Sequence, residues 1–242
     1  MADRASLGQV DVAPSPSNKL RIPQCGGVLV AKKTPTICRY GDLSAAIRHA
    51  PQRCGPVRLV AIDGPGGAGK SVFADRLARA LGSLAILHTD DFASWEKPVE
   101  WWGRLEAEAL GPLAIGEHVR YRAYDWSARR SGDWRELPTS DVVLLEGVSS
   151  ARRAVAERLS LAIWVEAPPG VRLARGIERD GDAMRGQWER WMAGEETHYA
   201  RDRTRDRADV IVDGAPSMLH NPEVEFVCIA GGPTIEGGGS AT

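Results

Sequence analysis

Apolar residues along the chain gather into short runs separated by longer amphipathic stretches. The first run, "VRLVAID" at 57–63, leads through a glycine-rich turn into "SVFADRLARALG". There Phe73, Leu77 and Leu81 recur at helical spacing, while Asp75, Arg76 and Arg79 fall on other faces. Four further runs repeat the first: "LAILHT" (84–89), "DVVLLEG" (141–147), "LAIWVEA" (161–167) and "ADVIVDG" (208–214). They are short, rich in Val, Ile and Leu, and weakly alternating, which suits strands covered on both faces. Strands alternating with helices predict an α/β fold with a mostly parallel five-stranded sheet flanked by helices. Right-handed crossovers then put ligand sites at the carboxyl ends of the strands.

The ends of the chain read differently. Residues 1–20, rich in Pro, Ser and Ala, predict a disordered tail. Residues 21–55 form an extension with one short helix, "DLSAAIRHA", where Leu43, Ala46 and Ile47 follow an Asp42 cap and Pro51 lies beyond the end. The main domain is expected over 56–220, and a tail over 221–242. Within that tail "PEVEFVCIA" is strand-like, with no partner evident from sequence.

With 43% hydrophobic and 26% charged residues the chain has the composition of a globular protein with one sizeable core. A net charge of −1 gives no general attraction to nucleic acid or acidic membranes, so any positive field must be local. The N-terminus lacks a basic start and an apolar core, and no run has the length of a membrane span, so the cytoplasm is the expected location. Cys25, Cys38, Cys54 and Cys228 show no paired spacing and no histidine at zinc-ligand distance, which favours free thiols. Assembly into a homo-oligomer is left open.

The turn after the first run reads "GPGGAGKS" and fits G-x-x-x-x-G-K-[ST], between a predicted strand and a predicted helix as that motif requires. Glycines allow positive φ and bring backbone amides close to phosphate oxygens, and the helix start adds partial positive charge. Gly64, Gly66, Gly67, Ala68, Gly69, Lys70, Ser71 and Val72 are therefore the candidate nucleotide contacts. Lys70 can reach the β and γ phosphates as a point charge, and the Ser71 hydroxyl can ligate magnesium. Asp63, just before the loop, either approaches the same cation through water or shapes the strand end.

Two other strands end in acids. Glu146 closes "DVVLLEG" and reads as the strand-end acid that holds magnesium. Asp90 and Asp91 close another, and one of them is positioned to take a proton from an acceptor hydroxyl while the other caps the turn. Tryptophans crowd the segment between the second and third strands, and Trp95 and Trp126 are the candidates to touch substrate.

From about residue 56 to 214 the chain resembles the uridine kinase and phosphoribulokinase family of phosphate-loop kinases. The resemblance rests on "DGPGGAGKS", the Asp-x-Phe of "DDF", "YDW" at 124–126, and "LLEG" followed by "ADVIVDG", in that order. It implies that Asp90 is the base and a magnesium neighbour, that Glu146 holds magnesium, and that Tyr124 lines the acceptor pocket. It also implies a helical lid, matched by "GVRLARGIERD", from which Arg172 and Arg175 act on the phosphates and Arg175 contacts the nucleotide. Without the resemblance, Arg172, Arg175 and Arg179 form a dense cluster that could equally be a solvated basic face. Ala93 stands where the nucleoside kinases have tyrosine, and Arg129 and Arg130 follow Tyr124-Asp125-Trp126 where several have histidine. Arg129 is thus a candidate substrate contact that could suit an acidic or phosphorylated acceptor.

The expected activity is transfer of a phosphoryl group from ATP, with Mg2+, to a small hydroxylated acceptor, nucleoside-like in the first reading. A sugar, a vitamin precursor or an antibiotic is the alternative acceptor, and a nucleotide-binding regulatory module without transfer is the alternative class. A GTP-dependent switch is discounted, because neither Asn18 nor Asn221 heads an Asn-Lys-x-Asp motif.

Overall fold

The computed structural model describes residues 34–94 and 101–232. The expected N-terminal tail, the loose C-terminal end and the candidate Trp95 lie outside the described residues. In chain order the elements are β1 (Thr36–Arg39), α1 (Tyr40–His49), β2 (Arg58–Asp63), α2 (Lys70–Leu81) and β3 (Ile86–His88). Next come α3 (Trp102–Leu105) and α4 (Gly111–Ala114), joined by a π turn, then β4 (Arg120–Asp125), β5 (Arg130–Glu136) and β6 (Val142–Glu146). The chain continues through β7 (Leu159–Glu166), α5 (Pro169–Asp180), α6 (Arg185–Asp202), β8 (Val210–Asp213) and β9 (Glu225–Gly231).

The main sheet has seven strands in the order β1-β9-β8-β7-β2-β6-β3. The five strands expected from sequence form its parallel part. The expected total of five is corrected to seven, because β9 adds antiparallel to β8 and β1 adds antiparallel to β9. Both extra strands lie at one edge: β1 is mostly exposed and so carries no buried signature, while β9 is buried over Phe226, Val227 and Cys228, a strand-like run whose partners lie far off in sequence. The sheet thus extends past both predicted boundaries of the main domain. Helix α1 also starts at Tyr40, two residues before the expected Asp42 cap, with the Tyr40 amide donating to the Val224 carbonyl at 3.0 Å. The Tyr40 ring packs at a tilt against Phe73 and Phe226 in the core at this start.

The central strand β2 shows why the fold is layered. Leu59 and Ala61 face one core cluster, with Leu87, Phe92, Leu105 and Leu145, while Val60 and Ile62 face the other, with Phe73, Leu77, Leu144 and Ile163. All four β2 side chains are fully buried, as two covered faces demand. The predicted stripe Phe73, Leu77 and Leu81 is the buried face of α2. A separate antiparallel hairpin, β4–β5, stands beside the end of β3.

Strand β2 lies between β6 and β7, so the chain leaves it in one direction for β3 and returns across it from β6 to β7. This change of direction opens a crevice at the carboxyl ends of the strands, where α/β sheets bind ligands. The phosphate-loop motif follows β2, Glu146 ends β6, Asp90 follows β3 and α5 follows β7, so all four meet at that edge. Among the described residues no helix is long and apolar enough to cross a membrane.

Candidate active site

The loop after β2 is built around glycines that nothing else could replace. Gly64 has φ +138°, and a Cβ there would lie 2.0 Å from the Val165 carbonyl oxygen; Gly67 has φ +75° and would meet the Arg172 carbonyl oxygen at 2.6 Å. Gly69, at φ +101°, leads into α2, whose first turn carries no acidic residue to offset the positive end of its dipole. Lys70 is buried and folds back so that Nζ donates to the Pro65 carbonyl at 3.1 Å. Ser71 Oγ donates to Glu146 Oε1 at 3.2 Å, bringing the two candidate magnesium ligands together across the crevice.

Asp63 takes the second of its two readings and shapes the strand end. Its carboxylate is fully buried and accepts from the amides of Gly64 (2.6 Å), Ser149 (2.8 Å) and Ala151 (2.8 Å) and from the Tyr199 hydroxyl (2.8 Å). Burial pushes its pKa up, and the Ala151, Tyr199 and Gly64 bonds together with Lys70 oppose that shift. Tyr199 belongs to α6, so the same carboxylate ties the loop, the segment after β6 and this helix into one unit.

Glu146 is buried and also bonded to His88, whose Nδ1 lies 2.7 Å from Oε2. Burial works against ionisation of Glu146, yet the His88 bond, the Lys70 charge and the Ser71 bond together hold its pKa below the usual glutamate range. The same contact raises the pKa of His88.

The adjacent acids separate clearly. Asp91 is buried and accepts from the Tyr121 hydroxyl at 3.0 Å and from Arg135 Nη1 at 2.8 and 2.9 Å. Asp90 is exposed as a residue at the floor of the crevice, with protein close around its carboxyl group. That surrounding protein raises its pKa, the nearby Lys70 lowers it and Glu146 raises it again. Trp126 Nε1 donates to the Asp90 carbonyl at 3.3 Å, and Tyr124 packs edge-on against Trp126 with ring centroids 5.2 Å apart. The Tyr124 hydroxyl is buried without a hydrogen-bond partner, a donor left for something else in the crevice. Arg129 stands exposed at the tip of the hairpin with φ +52°, and Ala93 is buried in the core.

The three arginines of α5 do not act alike. Arg175 Nη1 and Nη2 donate to the carbonyls of Gly67 (3.1 Å) and Gly214 (3.0 Å), spanning the loop and the end of β8. Arg172 Nη1 lies 3.5 Å from Glu195 Oε2 of α6, and Glu195 in turn accepts from the Gly66 amide. Arg179 turns to Asp180 at 2.8 Å and lies over the Trp188 ring. Beside Gly69, Val72 and Arg175, and reaching Val212 and Gly214, is a cavity of about 320 Å³. Val72, predicted as a nucleotide contact, is half exposed on its wall.

His88, Arg135 and Glu195 were missed from sequence. His88 stands two residues before Asp90 on the same strand end, a spacing that could have flagged it. Glu195 carries no motif at all, and it reaches a loop 129 residues away only because α6 folds back over it.

No family model matches the chain. It is 21% identical over 192 residues to a uridine kinase of Borrelia hermsii, covering 71% of this chain and 92% of that protein. It is 25% identical over 190 residues to a uridine kinase of Halobacterium salinarum, covering 69% and 84%. The structure of a possible uridine kinase from Bacillus stearothermophilus matches with a TM-score of 0.53 at 19% identity, covering 71% of this chain and 96% of that one. The fold is thus that of phosphate-loop kinases, and the resemblance to uridine kinases holds along most of the chain.

Proposed function

We propose that this uridine kinase-like chain is an ATP- and magnesium-dependent kinase that transfers the γ-phosphoryl group to a hydroxyl of a nucleoside or nucleoside-like acceptor. The observation that carries this reading is the convergence, at one sheet edge, of the glycine cradle with Lys70, the Ser71–Glu146 pair and the exposed residue Asp90.

The residues present suit the groups implied. Gly64 and Gly67 have no room for a side chain, which leaves backbone amides to face phosphate oxygens. Ser71 and Glu146, with Asp90 nearby, would hold magnesium, which supplies positive charge to the β- and γ-phosphate oxygens. The cavity beside Val72 and Gly214, part apolar and at the lower end of ligand-pocket volumes, would take the base. Lys70 would leave the Pro65 carbonyl for a phosphate oxygen, exchanging a neutral acceptor for a charged one. Asp90 would accept the proton of the acceptor hydroxyl as its oxygen bonds to the γ-phosphorus and the bond to ADP breaks. Tyr124 and Trp126 would hold the acceptor against it, with the buried Tyr124 hydroxyl as donor. Arg172 and Arg175 would neutralise charge on the transferring group.

A second reading of the acceptor rests on the hairpin. Arg120, Arg122, Arg129 and Arg130 are exposed on it, and the Ala93 side chain is too short to reach from the core. These features favour an acidic or phosphorylated acceptor over uridine itself. Incubating the protein with ATP, magnesium and panels of nucleosides, sugars and phosphorylated sugars, and following ADP release, tests both readings. Asp90→Asn is expected to lower turnover on the best acceptor by about 10²–10⁴-fold while an ATP analogue still binds. Normal turnover in that variant would refute the base assignment, and absence of transfer to every acceptor would favour the regulatory module.

A further inference from the structure

Glu195 does at the phosphate loop what an incoming anion is expected to do. Both its oxygens accept from the Gly66 amide, at 2.9 and 3.1 Å, Trp191 Nε1 donates to Oε1 at 2.5 Å, and Arg172 Nη1 lies 3.5 Å from Oε2. Glu195 as a residue is 5% exposed. The contact is close: a Cβ on Gly66 would meet Glu195 Oε1 at 3.1 Å and Trp188 Cζ3 at 3.2 Å, so α6 is seated directly on this part of the loop.

Packing alone gives no reason for an acid here. A buried carboxylate is costly unless its partners replace water. Asp63, Asp90 and Glu146 already share the neighbourhood of Lys70, and Glu195 is a fourth acid acting on the same ammonium. What Glu195 does have is an amide of the phosphate cradle and a lid arginine, both partners suited to a phosphate oxygen. Arg172 is also incompletely used. Its Nε is buried without a partner, so the guanidinium keeps a donor that Glu195 does not fill.

We propose that Glu195 is a built-in phosphate surrogate, a carboxylate that occupies the Gly66 amide and Arg172 in the nucleotide-free protein and that the polyphosphate of ATP displaces. The proposal rests on the kinase reading of this site. One N–H cannot serve two anions, and two anions side by side repel, so phosphate entry at Gly66 and retention of the Glu195 contact exclude each other. Displacement frees Arg172 for the phosphate chain, so arrival of the nucleotide and release of the lid arginine become one event. Nucleotide affinity is lowered by whatever free energy the Glu195 contacts contribute to the empty state.

Calorimetric titration of the full chain with a nonhydrolysable ATP analogue and magnesium tests this. Glu195→Ala and Glu195→Gln are both expected to bind the analogue about fivefold or more tighter than the wild type, within the range of a modest coupling. The glutamine variant matters because it keeps the shape and one acceptor but removes the charge, and it carries the test alone if the alanine variant fails to fold. Wild-type or weaker affinity in folded Glu195→Gln would overturn the proposal while leaving the kinase reading intact. If neither the wild type nor the variants bind any purine triphosphate, the kinase reading fails and the surrogate role falls with it.

Discussion

Asp63 takes no part in the proposed transfer, yet four donors converge on it and fix where the phosphate loop begins. Asparagine at this position would keep one oxygen for Gly64, Ser149 and Tyr199 but would turn an NH2 group toward the Ala151 amide. Two donors would then face each other in a fully buried place, although loss of the buried charge offsets part of the cost. Asp63→Asn is therefore expected to lower the unfolding free energy by about 1–2 kcal/mol, read from urea denaturation. An unchanged midpoint would show that the four bonds contribute nothing net. The contrast with Asp90 lies in surroundings alone, since the same side chain serves as a structural hub when ringed by donors and as a candidate base when left open.

The β4–β5 hairpin is held to the turn after β3 by one buried carboxylate, Asp91, through Tyr121 and Arg135. Phe92 stacks on Tyr121 at 4.8 Å in the same contact, so Asp90 is flanked by a seam that is both apolar and ionic. Removing Arg135 leaves Asp91 buried beside the Tyr121 hydroxyl without its charged partner, which weakens the seam more than loss of a surface pair would. Arg135→Ala is expected to speed amide hydrogen exchange over 120–136, where Tyr124 and Trp126 lie, while leaving exchange in α2 unchanged. Equal protection of the hairpin in both proteins would show that the ion pair does not hold it. At the same scale, α5 distributes its arginines among three partners, and so one helix meets the phosphate loop, the end of β8 and α6.

For the molecule as a whole the consequential contact is between the two ends of the described chain. Residues 36–49 and 225–231 complete the sheet and fill one face of the core, with Tyr40, Leu43, Ile47 and Phe226 packed against Phe73 and Val212. A chain cut to 56–220 would lose these side chains and leave β8 as an unpaired edge. Loss of large buried side chains at about 2–5 kcal/mol each is comparable with a whole domain's stability of about 5–15 kcal/mol. Such a fragment is expected to lack a cooperative thermal transition and to aggregate on size exclusion. A melt like that of the full chain would show that the ends are dispensable.

The sequence by itself determined the parallel strands, the amphipathic α2, the phosphate loop and the acids Asp90 and Glu146, because each is written in local periodicity or in a spacing of a few residues. Only the tertiary structure decided that the ends of the chain join the sheet, since β1 is mostly exposed and the strand-like run of β9 finds it across most of the sequence. The resemblance pointed to Asp90, but the structure supplied the physical difference from Asp91: the two differ in sequence only by order and in space by whether Tyr121 and Arg135 reach them. Glu195 belongs to the same class. A carboxylate on a solvated-looking helix becomes a ligand of the phosphate loop only through the packing of α6, and hydrogen bonds between residues so far apart leave no trace in local pattern.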